Sequence, residues 1–221
     1  MSNILKLIRL DYYVLKGNNK LFLVVAYVIA IVLGVFTKAP YLMVPIVMLL
    51  TTVSSGQYFS IYEKNNLGRL YGMLPLNRAQ AVVGRYVYTL VFGLLNWAAA
   101  MALSIFIMLF VNKSGTDSST FIFFICFAFF YLCLFVGISY PIFYKYPYSK
   151  AYVFTTLPFY LIFILGLILS RNAATAGSLT QLLQYFTDNS VMTWVFAIGF
   201  GLIILVVSCL LSVSIHKKNE L

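Results

Sequence analysis

The chain alternates between long apolar runs and short polar interruptions, and their lengths set its architecture. Apolar stretches occupy about residues 21–37, 41–61, 81–111, 120–143, 151–170 and 191–215. A helix rising 1.5 Å per residue crosses a hydrocarbon core of about 30 Å in roughly 17–25 residues, which these runs match. The strands of a membrane barrel would show ~10-residue segments of alternating polarity instead. No water reaches backbone N–H and C=O groups inside lipid, so a span must satisfy them internally, as a helix does. The pattern predicts an all-α integral membrane protein, with six transmembrane helices in residues 21–215. The 81–111 run is longer than one bilayer needs, so it projects beyond the membrane or tilts.

Three of the interruptions are themselves patterned. In residues 1–20, Lys6, Arg9, Lys16 and Lys20 fall on one stripe at 100° per residue, with Ile4, Leu7, Ile8 and Leu15 opposite. This predicts an N-terminal amphipathic interfacial helix whose basic stripe snorkels to anionic headgroups. Asp11 falls on its apolar side, either hydrated at the interface or paired with an arginine of residues 62–85. In residues 178–188, Ser178 and Gln181 have capping-box spacing, and Leu179, Leu182, Leu183 and Phe186 follow at helical intervals. They predict a short extracellular helix before the last span. Residues 62–80 mix charge with apolar positions. If residues 63–73 are helical, Leu67, Leu70 and Leu74 form a one-sided ridge, and Pro75 stops the helix. Spacing fits equally a helix docked on a partner protein and one resting on the membrane surface.

Composition narrows the class. Of 221 residues, 62% are hydrophobic and 9% charged, too little polar surface to solubilise a domain of this size. The net charge of +10 gathers at the ends of the apolar runs, which indicates topology and lipid headgroups rather than nucleic acid. With the N-terminus inside, only Lys38, Lys113 and Arg171 of the 15 Lys and Arg residues face outward. Both termini, including the tail at residues 216–221, are therefore expected in the cytoplasm. No cleavable signal peptide is read in the first 20 residues.

Reactive groups are sparse. His216 is the only histidine and lies beside Lys217 and Lys218; no HExxH, GxSxG, Cys/His cluster or GxxxxGK[ST] is present. The chain is expected to be no enzyme, to hold no metal and to bind no ATP by a P-loop. Cys126, Cys133 and Cys209 lie within apolar runs and suit packing. No charged or histidine side chain is placed mid-span, as ion relay would require. Ser54, Ser55, Gln57 and Asn96 are the milder polar groups of the spans, suited to helix packing or to lining a pathway.

Glu63-Lys64-Asn65 at the end of the second run, followed by Leu74-Pro75-Leu76-Asn77-Arg78 opening the third, resembles the E-K…L-P-x-(S/N)-R signature of type-2 ABC (ABC-2) transporter permeases. Within that family it is similar to small bacterial permeases such as those of phenol-soluble-modulin-type peptide exporters. The resemblance extends along the chain through the order of amphipathic helix, spans, loop helix and outer helix. It implies a permease in the bacterial cytoplasmic membrane, paired with a second permease subunit and two copies of a separate ATPase that carries ATP and Mg. Residues 62–80 would be the coupling helix, beginning at Glu63, Lys64 and Asn65, running through Leu67, Arg69 and Leu70, and closed by Leu74, Pro75 and Arg78. Gly68 and Gly72 around Arg69 depart from a regular helix. The connector at residues 144–150 would be a second, smaller contact. The implied cargo is an amphipathic or hydrophobic peptide, or a similar toxic or antimicrobial compound. An ion-coupled transporter and a membrane scaffold or sensor partner are the alternatives, and neither accounts for the loop signature.

Overall fold

In the computed structural model, residues 12–13, 23–37, 39–65, 78–110, 118–156, 185 and 190–218 are described. The helices are α1 (Leu23–Phe36), α2 (Met43–Lys64), α3 (Arg78–Phe110), α4 (Ser118–Lys145), α5 (residues 148–156) and α6 (Ser190–Lys218). No strand occurs among the described residues. Four helices are long and apolar enough to cross a membrane: Pro40–Lys64, Ala79–Phe110, Thr120–Lys145 and Met192–His216. Each coincides with an expected apolar run. The expected interfacial helix lies outside the described residues except for Tyr12 and Tyr13, and so do most of the fifth run and the extracellular helix. The loop segment beyond Asn65 and up to Arg78 lies outside them as well.

The helices overshoot their apolar runs into charged sequence. α2 continues through Glu63 and Lys64 and ends at Asn65, whose φ of −97° and ψ of 8° leave the helix. Its amide still donates to Ile61 O at 3.0 Å. Glu63 and Lys64 thus form the last turn of α2, at the point where the family resemblance has the coupling element begin. The overshoot has a simple cause: the hydrogen-bond ladder continues into the headgroup zone, where long polar side chains are solvated.

Side-chain pairs fix the helix directions. Tyr41, just before the start of α2, stacks on Phe124 near the start of α4. Phe59, near the end of α2, meets Tyr140, Phe143 and Tyr144 near the end of α4. These two helices are therefore parallel. α6 runs with them, since Phe196 and Phe200 pack on Phe130 while His216 packs on Tyr144. α3 runs the other way, with Trp97 Nε1 donating to Ile125 O and Arg85 reaching Tyr144. α1 is reversed too, because Gly34 abuts Met43 across the 3₁₀ turn Pro40–Leu42. α2 ends, α3 begins, and α4 and α6 end at one extremity, called here the basic end for Lys64, Arg78, Lys145 and Lys218.

Small residues set how closely the helices approach. Ala26, Ala30 and Gly34 repeat every four residues and form the buried stripe of α1. A methyl group at Gly34 would lie 2.6 Å from Met43 Cγ, so the α1–α2 hairpin needs glycine there. Gly137 and Gly201 open the α4–α6 seam: a methyl at Gly137 would lie 2.5 Å from Ile204 Cγ2, and one at Gly201 3.2 Å from Cys133 Sγ. Gly137 also sits four residues before Pro141, which lies inside α4, where a proline ring crowds the preceding turn. α2 and α4 form the inner pair, with Met43, Val44, Val47, Met48, Ala128 and Cys133 among their fully enclosed side chains. The outer faces of α1, α3 and α6 carry exposed Val, Ile, Leu and Phe, as surfaces meeting lipid do.

Candidate functional site at the basic end

Glu63 is exposed, yet its carboxylate is engaged. Oε2 accepts from the backbone N–H of Ser149 at 3.3 Å and Oε1 from its hydroxyl at 3.1 Å. Ser149 lies in the first turn of α5, where N–H groups lack intrahelical partners and a negative charge is favoured. Glu63 therefore caps α5 from the end of α2, across 86 positions of sequence. The connector at residues 144–150, expected as a minor partner contact, is thereby joined to the end of α2. Its aromatic residues reinforce the joint: Tyr148 stands 5.2 Å from Phe143 and 5.5 Å from Tyr152. Burial, with Tyr152 adding to it, pushes the Tyr148 phenol up to about 12, so it stays neutral at physiological pH.

Arg85 is what the sequence reading missed. By charge it belongs with the cytoplasmic cations, yet it is 7% exposed, about 10 Å along α3 from Arg78. Nη2 donates to the Tyr58 hydroxyl at 2.9 Å and Nη1 to the Tyr144 hydroxyl at 3.2 Å. The guanidinium carbon lies 4.4 Å from the Tyr58 ring centre, 4.8 Å from Tyr62, 5.5 Å from Tyr144 and 5.6 Å from Phe59. Burying a charge among apolar side chains costs several kcal/mol, and each face-on ring returns about 0.5–2 kcal/mol. The concentration of Tyr and Phe at positions 58, 59, 62 and 144 was the available signal, but only the fold brings α2 and α4 around one residue of α3.

Deeper in the bundle the polar groups tie helices together. The Tyr86 hydroxyl bonds Ser208 at 2.7 Å and Ser212 at 2.8 Å, joining α3 to α6. Thr89 and Tyr140 share a hydrogen bond between α3 and α4. Among the expected interface or pathway residues, Ser54 and Ser55 are buried, and their hydroxyls donate at 2.7 Å to the carbonyls of Thr51 and Thr52. Asn96 donates to Phe92 O at 2.8 Å and accepts from the Tyr27 hydroxyl at 3.1 Å, linking α3 to α1. Gln57 is half-buried. These residues do not converge on one place. Lys64 and Asn65 are exposed at the end of α2; Leu67, Arg69, Leu70, Leu74, Pro75 and the Arg78 side chain lie outside the described residues. Among the described residues no three His, Cys, Asp or Glu side chains group as a metal site.

A bundle of this kind, with long apolar helices and the charged groups of its described residues drawn to one end, is a multi-pass membrane protein without a visible reaction centre among those residues. The model of the ABC-2 family transporter proteins matches residues 6–217, and the chain belongs to that family. Its members are membrane subunits that generally work with an ATPase subunit and in dimers. No curated protein and no solved structure matches the chain.

Proposed function

We propose that this chain is the permease subunit of an ATP-driven exporter, with a separate ATPase docking on the basic end. The observation that carries the proposal is the family match over nearly the whole chain, residues 6–217. The geometry supports the placing of the dock. The chain leaves the bundle at Asn65 and returns at Arg78, on an end braced by the Glu63–Ser149 contact. In this proposal Glu63, Lys64, Asn65, Leu67, Arg69, Leu70, Leu74, Pro75 and Arg78 form the coupling element, and the turn before α5 is its second contact. ATP would draw two ATPase copies together beneath two permease copies and displace this element, rearranging the permease interface.

The basic end is the cytoplasmic one on charge, giving N-in and C-in termini in a bacterial cytoplasmic membrane. Helix directions support six spans. α4 ends at the basic end and α6 begins at the opposite end, which fits one more crossing between them, as the apolar run at 151–170 offers. The cargo is an amphipathic or hydrophobic peptide, a proposal resting on the sequence resemblance.

Co-purification from membranes is the test, followed by reconstitution with an amphipathic peptide in vesicles. The expected result is a bound subunit carrying a P-loop and peptide movement that requires ATP. Peptide movement driven by an ion gradient without such a subunit would overturn the assignment.

A further inference from the structure

The Arg85 site has an architecture that a packing role alone does not explain. A buried ion pair or cation is commonly replaced by apolar side chains of similar volume at no loss of stability, so packing gives no reason to keep a charge there. What a guanidinium adds is direction. Its planar fork donates to Tyr58 on α2 and to Tyr144 on α4 at once, while its central carbon lies over rings of both helices. A lysine ammonium can donate to two hydroxyls, but it has no planar fork to hold the two donors in a fixed direction.

The place of the site in the fold gives that direction a use. Tyr58, Phe59 and Tyr62 occupy the last turns of α2, directly before the Glu63 that caps α5. Tyr144 is in the last turn of α4, where the connector to α5 begins. The ends of α2 and α4, the start of α5 and the first turns of α3 are therefore tied by two separate links, Arg85 and Glu63–Ser149. Both points where the chain leaves for residues 66–77 and returns from them lie on these tied turns. The neighbouring Tyr86, and Thr89 one turn deeper, extend the connection to Ser208, Ser212 and Tyr140.

We propose that Arg85 is a positioning residue that clamps these turns into one block, so that displacement of residues 66–77 moves α2, α3 and α4 together. The clamp rests on the coupling reading for its use, but its rigidity can be measured without any ATPase. Spin labels introduced as unnatural amino acids at the exposed positions 64 and 145 report the separation of α2 and α4 by pulsed electron resonance. The full chain in lipid nanodiscs should give one narrow separation, and Arg85→Met a broad one. Tyr58→Phe/Tyr144→Phe keeps the rings and removes the two acceptors; it should broaden the separation less, and it carries the test if Arg85→Met does not accumulate. In the reconstituted complex, Arg85→Met should retain the ATPase subunit and its basal hydrolysis while peptide moved per ATP falls roughly tenfold. Arg85→Lys should not restore that ratio.

A separation as narrow in Arg85→Met as in the unaltered chain overturns the clamp. A broad separation with unaltered peptide per ATP overturns its role in transmission. Broadening in nanodiscs with no ATPase subunit found in membranes upholds the clamp and removes the coupling reading instead.

Discussion

At Glu63 one carboxylate holds two elements together while standing in the segment proposed to meet the ATPase. Glu63→Ala should lower transport and the permease's stimulation of ATP hydrolysis, with membrane insertion unchanged. Ser149→Ala separates the two roles. It removes only a hydroxyl donor to an exposed carboxylate, worth about 0.5–1.5 kcal/mol, and should lower the melting temperature slightly with little effect on transport. Equal transport losses in both variants would assign the whole effect of Glu63 to bracing α5. Tyr27→Phe removes a donor to Asn96 within the membrane and should cost about 0.6 kcal/mol in an unfolding titration. Glu63 and Asn96 stood out in the sequence by residue type, since a charge at a span end and an amide within a span are both conspicuous. Their partners Ser149 and Tyr27 did not, because a serine and a tyrosine become meaningful only when a distant helix arrives beside them.

Among the helices, glycines mark where contact is closest. Gly137 and Gly199 lie on α4 and α6, yet substitution should affect them oppositely. A methyl at Gly137 meets Ile204 at 2.5 Å, whereas one at Gly199 meets nothing within 4 Å. Gly137→Ala should loosen the α4–α6 seam and lower the melting temperature in detergent. Gly199→Ala should be neutral or stabilising by up to about 1 kcal/mol, the helix-propensity difference. A Gly137→Ala chain as stable as its parent would show that Ile204 can turn aside. The helices themselves were legible as apolar runs, because hydrocarbon thickness imposes span length directly on sequence. Their ends were less so: α2 runs on to Lys64 because a hydrogen-bond ladder does not stop where hydrophobicity does.

Taken as a whole, the molecule is asymmetric from end to end. Charge and tyrosine collect where α2, α4 and α6 finish; the opposite end is held by Tyr41–Phe124 and Trp97–Trp194 ring contacts. Reporter fusions should place Ser114 outside the cell and the end of α6 inside, and the reverse result would invert the topology. The sequence alone determined that the chain lives in a membrane, where its four long apolar helices fall, and the family signature on either side of residues 66–73. Those properties follow from the solvent, which acts on each segment independently of the others. Tertiary structure alone decided that Glu63 meets Ser149, that α2, α4 and α6 run in parallel, and that Arg85 is enclosed by Tyr58, Phe59, Tyr62 and Tyr144. In lipid no hydrophobic force sorts one apolar face from another, so which helices meet depends on small residues and a few directional polar contacts matched across distant parts of the chain.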